Sequence, residues 1–168
     1  SSSSLCTPGS FSSGTNTLSF NYTVMVNHAS ADLEYNSASS LALNNGTVKD
    51  LAGNNVTLSL PTTGETGSLG TNKALVIDGV YATVDSVSAT TSNGYYKAGD
   101  TLYVTVHFDE NVNVTGTPQL VLETGSNDAT IYYTSGSGAS TITFQYIAGE
   151  GHINTDLGYV NTSSLSLN

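Results

Sequence analysis

Acidic side chains close to turns are the residues whose type best suits chemistry, and the chemistry they suit is calcium binding. Asp109 and Glu110 directly follow an alternating apolar stretch, and Asp32 and Asp78 lie in turn-rich sequence. Ca²⁺ takes about six to eight hard oxygens from carboxylates, amides and backbone carbonyls on irregular loops. A calcium site therefore needs the fold to bring these four residues together. The alternative is a set of solvated acidic loops.

Enzyme chemistry has less support in the sequence. The histidines are His28, His107 and His152, and neither a nucleophile elbow nor a glycine-rich phosphate loop leading into a helix accompanies them. His28 and His152 suit hydrogen bonding within loops, with metal ligation as the alternative. We therefore expect a protein that is not an enzyme.

Two further kinds of residue suit glycans. Tyr95, Tyr96, Tyr103, Tyr132 and Tyr133 could form an aromatic platform for sugars, although tyrosines that alternate on strands usually cover a sandwich face. Asparagines also occur in Asn-X-Ser/Thr triplets, the acceptor pattern for N-glycosylation, at a frequency close to chance. These asparagines are Asn21, Asn45, Asn55, Asn113 and Asn161.

Composition restricts the class of protein. The 168 residues include 13 acidic and 3 basic side chains, which gives a formal net charge of −10. Nucleic acids and anionic membrane surfaces need Lys/Arg-rich stripes, so both are unfavourable partners. No apolar run approaches the roughly 20 residues of a membrane span, and we expect no membrane insertion. The composition is typical of a secreted, turn-rich β protein, which predicts an extracellular or cell-surface location.

The single cysteine, Cys6, excludes an intrachain disulfide and a cysteine-based metal site. Its thiol is either inert or a link to a second chain, and the sequence leaves both open.

The elements that must position these residues are strands. Leu102, Val104, Val106 and Phe108 alternate with polar residues, and hairpin-type turns such as Asn93-Gly94 are frequent. No window has the spacing of an amphipathic helix with caps. Short, turn-linked strands of this kind predict an all-β fold, specifically an antiparallel Greek-key β-sandwich.

An internal duplication organises the chain. Residues 14–44 align without a gap to residues 138–168, at an offset of 124, with 13 identical positions among 31. The identical pairs include Phe20/Phe144, Tyr22/Tyr146 and His28/His152. The sequence therefore predicts tandem repeats with a period of about 124 residues.

Several stretches around this duplication also form a recognisable pattern. They are AGDT at 98–101, FDENV at 108–112, VTGTPQL at 114–120, YTSGSG at 133–138, LALN at 41–44 and GTVKDLAGN at 46–54. The pattern resembles the Ig-like, cadherin-like tandem repeats of very large secreted bacterial adhesins and surface proteins. The resemblance implies an Ig-like sandwich, and it is weak for function because such modules serve as spacers, adhesins and matrix proteins alike.

The unit boundary is expected near residues 73–79, because a Gly/Thr-rich stretch at 61–71 precedes it and a fresh strand at 80–89 follows it. Residues 1–78 are then the C-terminal part of one unit, and 79–168 are the N-terminal and middle part of the next. In a Greek-key sandwich the loop after the second strand and the entering linker lie at the same end. Asp78 and Asp109/Glu110 are therefore expected to meet Asp32 of the preceding unit in a junctional calcium site.

The stretch 45–60 has no counterpart after Asn168, and its Val56, Leu58 and Leu60 alternate as in a strand. We expect this assembly strand to complete an open sandwich through head-to-tail contact with neighbouring copies, or the same contact to occur within a longer covalent array. The predicted function is a structural or adhesive module of an extracellular fibre or giant surface adhesin. The alternative is a carbohydrate- or ligand-binding β-sandwich module.

Overall fold

The structure is a computed structural model that describes residues 7–8 and 16–167. The chain divides into two compact units, unit 1 (1–81) and unit 2 (82–168). This division falls three residues after the boundary expected between 78 and 79. Cys6 lies outside the described residues, so the alternatives for its thiol stay open.

Unit 1 contains little regular structure. Its elements are β1 (Thr7–Pro8), β2 (Phe20–Asn21), β3 (Ala29–Ser30), the short helix α1 (Leu69–Asn72) and β4 (Ile77–Asp78). Strands β1 and β2 pair antiparallel, and so do β3 and β4. Ser68 caps α1, since its hydroxyl accepts a hydrogen bond from the Thr71 amide. Most other residues of the unit run as turns and extended chain.

Unit 2 is a seven-stranded antiparallel sheet that curls into a half-barrel. Its strands are β5 (Val84–Ala89), β6 (Thr101–Val112), β7 (Gln119–Glu123), β8 (Ala129–Ser135), β9 (Ala139–Ile147), β10 (Gly158–Tyr159) and β11 (Leu165–Ser166). The order across the sheet is β10, β7, β8, β9, β6, β5, and β11 also pairs with β7. Because β10 and β11 follow one another along the same edge of β7, the turn at 160–164 interrupts that edge.

The core of unit 2 lies on one face of this sheet. The inward residues alternate along β6, β7 and β9, as the sequence pattern predicts for strands with one buried face. Phe144 is fully buried at the centre, and Tyr133 meets it edge-on with ring centroids 6.5 Å apart. The buried apolar side chains are Leu102, Val104, Val106, Leu120, Leu122, Ile131, Ile142, Phe144 and Tyr146.

The all-β prediction is confirmed, because the described elements are antiparallel strands apart from the four residues of α1. The stretch in which Leu18, Phe20 and Tyr22 alternate with other residues forms strand at the two residues of β2, whereas its counterpart in unit 2 is the nine-residue strand β9. Among the described residues, we find no helix with the length and apolar character that a membrane span requires.

Candidate functional site

Two turns of the duplicated segment, residues 14–44 in unit 1 and 138–168 in unit 2, have the same hydrogen bonds in both units. In unit 1 the Tyr22 hydroxyl contacts His28 Nδ1 at 3.0 Å, and the two rings stack. In unit 2 the Tyr146 hydroxyl contacts His152 Nδ1 at 2.8 Å, again with stacked rings. Burial raises the pKa of Tyr146. These histidines therefore serve as hydrogen-bonding partners that hold a loop against the preceding strand.

The turn containing each histidine also matches in its backbone. The His28 amide donates to the Met25 carbonyl at 3.0 Å, and the His152 amide donates to the Gly149 carbonyl at 3.3 Å. Left-handed backbone precedes each histidine, with φ of 67° at Asn27 and 80° at the equivalent Gly151. Asparagine and glycine are the residues that tolerate this conformation, so the turn recurs although the residue differs.

A second turn recurs near the end of the duplicated segment. The Ser37 amide donates to Ser40 Oγ at 2.9 Å, and the Ser40 amide donates to the Ser37 carbonyl at 3.0 Å. Asn161 and Ser164, at the same offset of 124, make the same two bonds at 2.9 and 3.0 Å. Two turns in one segment thus adopt the same hydrogen-bonded form in both units.

The two copies of the duplicated segment bury different parts of that segment. On the first side, Leu18 is 42% exposed and Phe20 is 47% exposed in unit 1, whereas the equivalent Ile142 and Phe144 in unit 2 are 3% and 0% exposed. The difference follows from the neighbouring strands, because β6 and β8 flank β9 in unit 2. We call this side, formed by residues 17–22 and 141–146, the β9 side.

On the other side the burial is reversed. Residues 33–35 and 37–38 of unit 1 are half-buried, whereas the equivalent residues 157–159 and 161–162 of unit 2 are exposed. Strand pairing also differs between the two copies. Residues 29–30 pair with β4 in unit 1, whereas the equivalent 153–154 form no strand. Residues 158–159 pair with β7 in unit 2, whereas the equivalent 34–35 form none. We call this side, formed by residues 27–38 and 151–162, the closing side.

In unit 1 the closing side is covered by residues 60–79. The Asn27 amide donates to the Gly79 carbonyl at 2.8 Å, and the Gly79 amide donates to the His28 carbonyl at 2.7 Å. Further along, the Leu33 amide donates to the Leu75 carbonyl at 2.8 Å. This short backbone ladder covers residues 27–33 of the closing side.

Side chains of the closing side add to this ladder. Asp32 Oδ1 accepts from the Leu75 amide at 3.2 Å, and the Tyr35 hydroxyl donates to the Pro61 carbonyl at 2.5 Å. Three identities in the duplication, Asp32/Asp156, Leu33/Leu157 and Tyr35/Tyr159, are therefore positions that hold residues 60–79 in unit 1. The sequence analysis did not assign them this role, although their identity was visible in the alignment.

Glu34 anchors α1 to the closing side. Its carboxylate accepts hydrogen bonds from the Leu69 amide at 3.2 Å and the Gly70 amide at 3.0 Å. Although desolvation acts to raise it, hydrogen bonds from the Ser68 side chain and from backbone amides hold the pKa of Glu34 below its ordinary value. The equivalent residue in unit 2 is Gly158, so this anchor has no counterpart there.

In unit 2 the closing side borders an open groove of about 980 Å³. Its floor consists of core residues, among them Leu102, Val104, Leu122 and Tyr146, and β5 with the loop at 91–98 forms the opposite wall. Leu157 and Tyr159 line the groove and are partly exposed. This groove, at the open side of the half-barrel, is the candidate functional site.

Three of the four residues predicted to bind calcium accept hydrogen bonds within their own units. Asp32 is bonded to the Leu75 amide, and Asp78 Oδ1 accepts from the Val80 amide at 3.1 Å. Asp109 accepts from the Thr83 amide and hydroxyl at 2.8 and 2.7 Å, and these bonds hold the pKa of Asp109 below its ordinary value. Glu110 lies half-buried in β6. Across residues 7–8 and 16–167, no group of three or more His, Cys, Asp or Glu is placed to hold a metal ion, and the calcium site stays a prediction.

The stretch 45–60, which contains the predicted assembly strand, forms an isolated bridge but no strand in unit 1. Lys49 and Asn55 form an isolated antiparallel bridge, and Val56 is exposed whereas Leu58 and Leu60 are half-buried. The Leu60 amide donates to the Ala38 carbonyl at 2.8 Å, so this stretch also reaches the closing side. Its role in assembly stays a prediction.

The residues considered for glycans are mostly at the surface. All the candidate glycosylation sites are exposed: Asn21, Asn45, Asn55, Asn113 and Asn161. Tyr95, Tyr96, Tyr103 and Tyr132 are exposed, while Tyr133 is half-buried and contacts the core. Tyr103 and Tyr132 both pair with Gln145, from the strands on either side of β9, so the three residues form a row across one face of the sheet.

Comparison with models of protein families, with characterised proteins and with solved structures gave no match.

Proposed function

We propose that the chain is a structural and adhesive module of an extracellular fibre or giant surface adhesin. In this proposal, Ig-like β-sandwiches repeat head to tail with a period of about 124 residues. Unit 1 is the C-terminal part of one sandwich, and unit 2 is the N-terminal and middle part of the next. The complementary burial of the duplicated segment carries the proposal: unit 2 buries the β9 side that unit 1 exposes, and unit 1 half-buries residues of the closing side that unit 2 exposes.

The recurring turns support the repeat. A Tyr–His pair and a Ser-capped turn occur in both units at the same offset of 124 residues. Two unrelated segments would not be expected to share both the residues and the bonds at one fixed spacing. The sequence alignment and the local geometry therefore support the same division of the chain.

The strand order of unit 2 supports the Greek-key part of the proposal. Strands β7, β8 and β9 follow one another through hairpins, and β6 lies beside β9. A Greek key has this arrangement, in which three hairpin-connected strands are joined by a fourth that a longer connection brings beside the end of the set. A complete repeat would add the equivalent of residues 45–81 across the groove and close the half-barrel into a sandwich.

The proposed role is not enzymatic. His28 and His152 hold loops, and His107 contacts the hydroxyls of Thr105 and Thr141 at 3.2 and 2.9 Å. These contacts give each histidine a structural use. Robust turnover of peptide, ester or glycoside substrates that one histidine or aspartate substitution abolishes would contradict this part of the proposal.

Electron microscopy of negatively stained native material, with its mass measured under denaturing conditions, tests the proposal. We expect linear strings of globular units. A very large single polypeptide would indicate a covalent array, whereas a 17.3 kDa band from the same strings would indicate association of separate copies. Isolated monomers in native material would overturn the proposal.

A carbohydrate-binding module is the second candidate. The row of Tyr103, Gln145 and Tyr132 supports it, because two exposed aromatic rings flank a hydrogen-bonding amide on adjacent strands. Sugars stack on aromatic faces and bond to amides, so an extended glycan suits this row. A glycan-array screen of the chain and of Tyr132→Ala separates the candidates, since binding lost in the variant favours the module.

A further inference from the structure

We propose that the groove of unit 2 is the acceptor for residues 45–81 of a second copy of this chain. The segment would lie against 151–162 as it lies against 27–38 in unit 1. This inference rests on the proposed function, because it names the partner and the contacts of the head-to-tail association.

The backbone ladder of unit 1 transfers directly to unit 2. Gly79 of unit 1 receives one hydrogen bond from Asn27 and gives another to His28. The equivalent residues, Gly151 and His152, line the groove. Gly151 has the same left-handed backbone as Asn27. The Gly151 amide and the His152 carbonyl of unit 2 are thus the expected partners of an incoming Gly79.

The second part of the ladder combines backbone and side chain. In unit 1, Leu75 accepts from the Leu33 amide and donates to the Asp32 carboxylate. The equivalent Leu157 and Asp156 both line the groove and are exposed. Addition of an extended segment to an exposed edge gains main-chain hydrogen bonds, and alternate side chains give the specificity. An incoming Leu75 would find both of its partners in place.

Tyr159 completes the match. The hydroxyl of its equivalent, Tyr35, donates to the Pro61 carbonyl in unit 1, and Tyr159 is 46% exposed in the groove. Glu34 has no equivalent carboxylate in unit 2, because Gly158 stands there. Recognition is therefore expected from the stretches around Pro61 and 75–79, and not from the α1 region.

The segment 45–81 also has an acceptor within its own chain. In unit 1 this segment already covers its own closing side. Association between copies thus requires the segment to leave 27–38 and to bind the equivalent 151–162, which is a domain exchange between two similar acceptors.

A free peptide avoids this competition and tests the acceptor directly. The experiment mixes the full 168-residue chain with a fluorescent peptide of residues 45–81 and follows anisotropy. We expect saturable binding of one peptide per chain. Asp156→Ala should weaken it about tenfold, which corresponds to the loss of one hydrogen bond to a charged group. Asp128→Ala, which removes an exposed acid outside the groove, should leave binding unchanged.

Peptide variants keep the test independent of folding of the chain. A Cβ on Gly79 would collide with the Met25 carbonyl in unit 1, so peptide Gly79→Val should bind at least tenfold more weakly. Peptide Leu75→Pro lacks the amide that meets the aspartate and should fail in the same way. Leu51, 99% exposed in a turn, provides the matched control: peptide Leu51→Pro should bind like the parent.

The outcomes separate this inference from the proposed function. Absence of peptide binding, or binding that depends on Asp32 and not on Asp156, overturns the inference even if microscopy shows strings of units. Peptide binding by a chain that sediments as a monomer at every concentration overturns the second copy as the source, and assigns the groove to a segment of the same polypeptide. Peptide binding together with concentration-dependent oligomers that Asp156→Ala weakens supports it.

Discussion

Phe144 at the centre of unit 2 is fully buried, whereas Phe20, its equivalent in unit 1, is 47% exposed. On the opposite side of the same segment, Tyr35 is half-buried in unit 1 and Tyr159 is exposed in unit 2. Both copies keep the Tyr–His pair and the Ser-capped turn. The duplicated segment therefore keeps its internal bonds in both settings, while its burial depends on which neighbouring strands the unit supplies.

This difference shows which interactions are local. Turn bonds such as those of His28 and His152 span a few residues and form in either unit. Strand β9 forms over nine residues because β6 and β8 bind its two edges, whereas β2 has β1 as its described partner. Strand length in this segment is consequently set by tertiary pairing more than by the alternating sequence.

The largest expected effect tests the difference in burial. Phe144→Ala should lower the free energy of unfolding by about 3–5 kcal/mol, since it opens a cavity in the core. Phe20→Ala should change it by about 0.5 kcal/mol or less in the separate chain, as for most exposed positions. Denaturant titration of both variants measures this. Equal losses of unfolding free energy would mean that Phe20 and Phe144 are equally buried in solution.

Calcium provides the next test. If Ca²⁺ binds Asp32, Asp78, Asp109 and Glu110, the ion at about 100 times its Kd should stabilise the folded chain by about 2.7 kcal/mol. Chelation with EDTA should then lower the melting temperature, and Asp78→Asn should remove the response while Asp128→Asn keeps it. A melting curve that is the same with and without EDTA would exclude the calcium hypothesis.

The Tyr–His pair tests the difference between the two units with a smaller expected change in stability. Tyr146→Phe removes a hydroxyl from a buried hydrogen bond and should cost about 1 kcal/mol of stability. Tyr22→Phe removes the same bond from a half-buried position, where water replaces it more easily, and should cost less. Thermal unfolding of the two variants checks the order. A larger loss in Tyr22→Phe would show that unit 1 depends more on this pair than its exposure indicates.

The smallest expected effect is on the stability of the protein at acidic pH. Hydrogen bonds hold the pKa of Asp109 in unit 2 and of Asp50 in unit 1 below the ordinary value for aspartate. A folded-state pKa below the unfolded one gives stability that is present above about pH 4 and is lost as pH falls through the folded pKa. Asp109→Asn should therefore flatten the acid limb of a stability-against-pH curve. An unchanged limb would contradict the role of the Thr83 bonds.

The sequence predicted the parts of the fold that depend on alternation and on the duplication. Val104 and Val106 face the core as their spacing indicated, and the strand pattern gave the all-β class. The equivalence of Tyr22 and Tyr146 was also visible, although the stacked histidine contact was not. These features are determined by residues close together in the chain.

The site was harder to predict because it depends on distant pairings. Alternation in Val56, Leu58 and Leu60 indicated an assembly strand, but the backbone partners of residues 27–33 on the closing side are Leu75 and Gly79, on either side of the two-residue strand β4. Such pairing is made by backbone amides and carbonyls, so the residue types do not reveal it. The identities Asp32/Asp156 and Tyr35/Tyr159 were the available signal, and their meaning required the contacts of unit 1.

The turn at 160–164 separates β10 from β11 along β7, and this break affects how readily the edge of the sheet can aggregate. Continuous flat edges act as templates on which further chains stack without limit, as in amyloid. Here each piece of the edge offers a ladder of two residues before the chain turns away. At high protein concentration, such a broken edge disfavours fibrillar precipitation by this route.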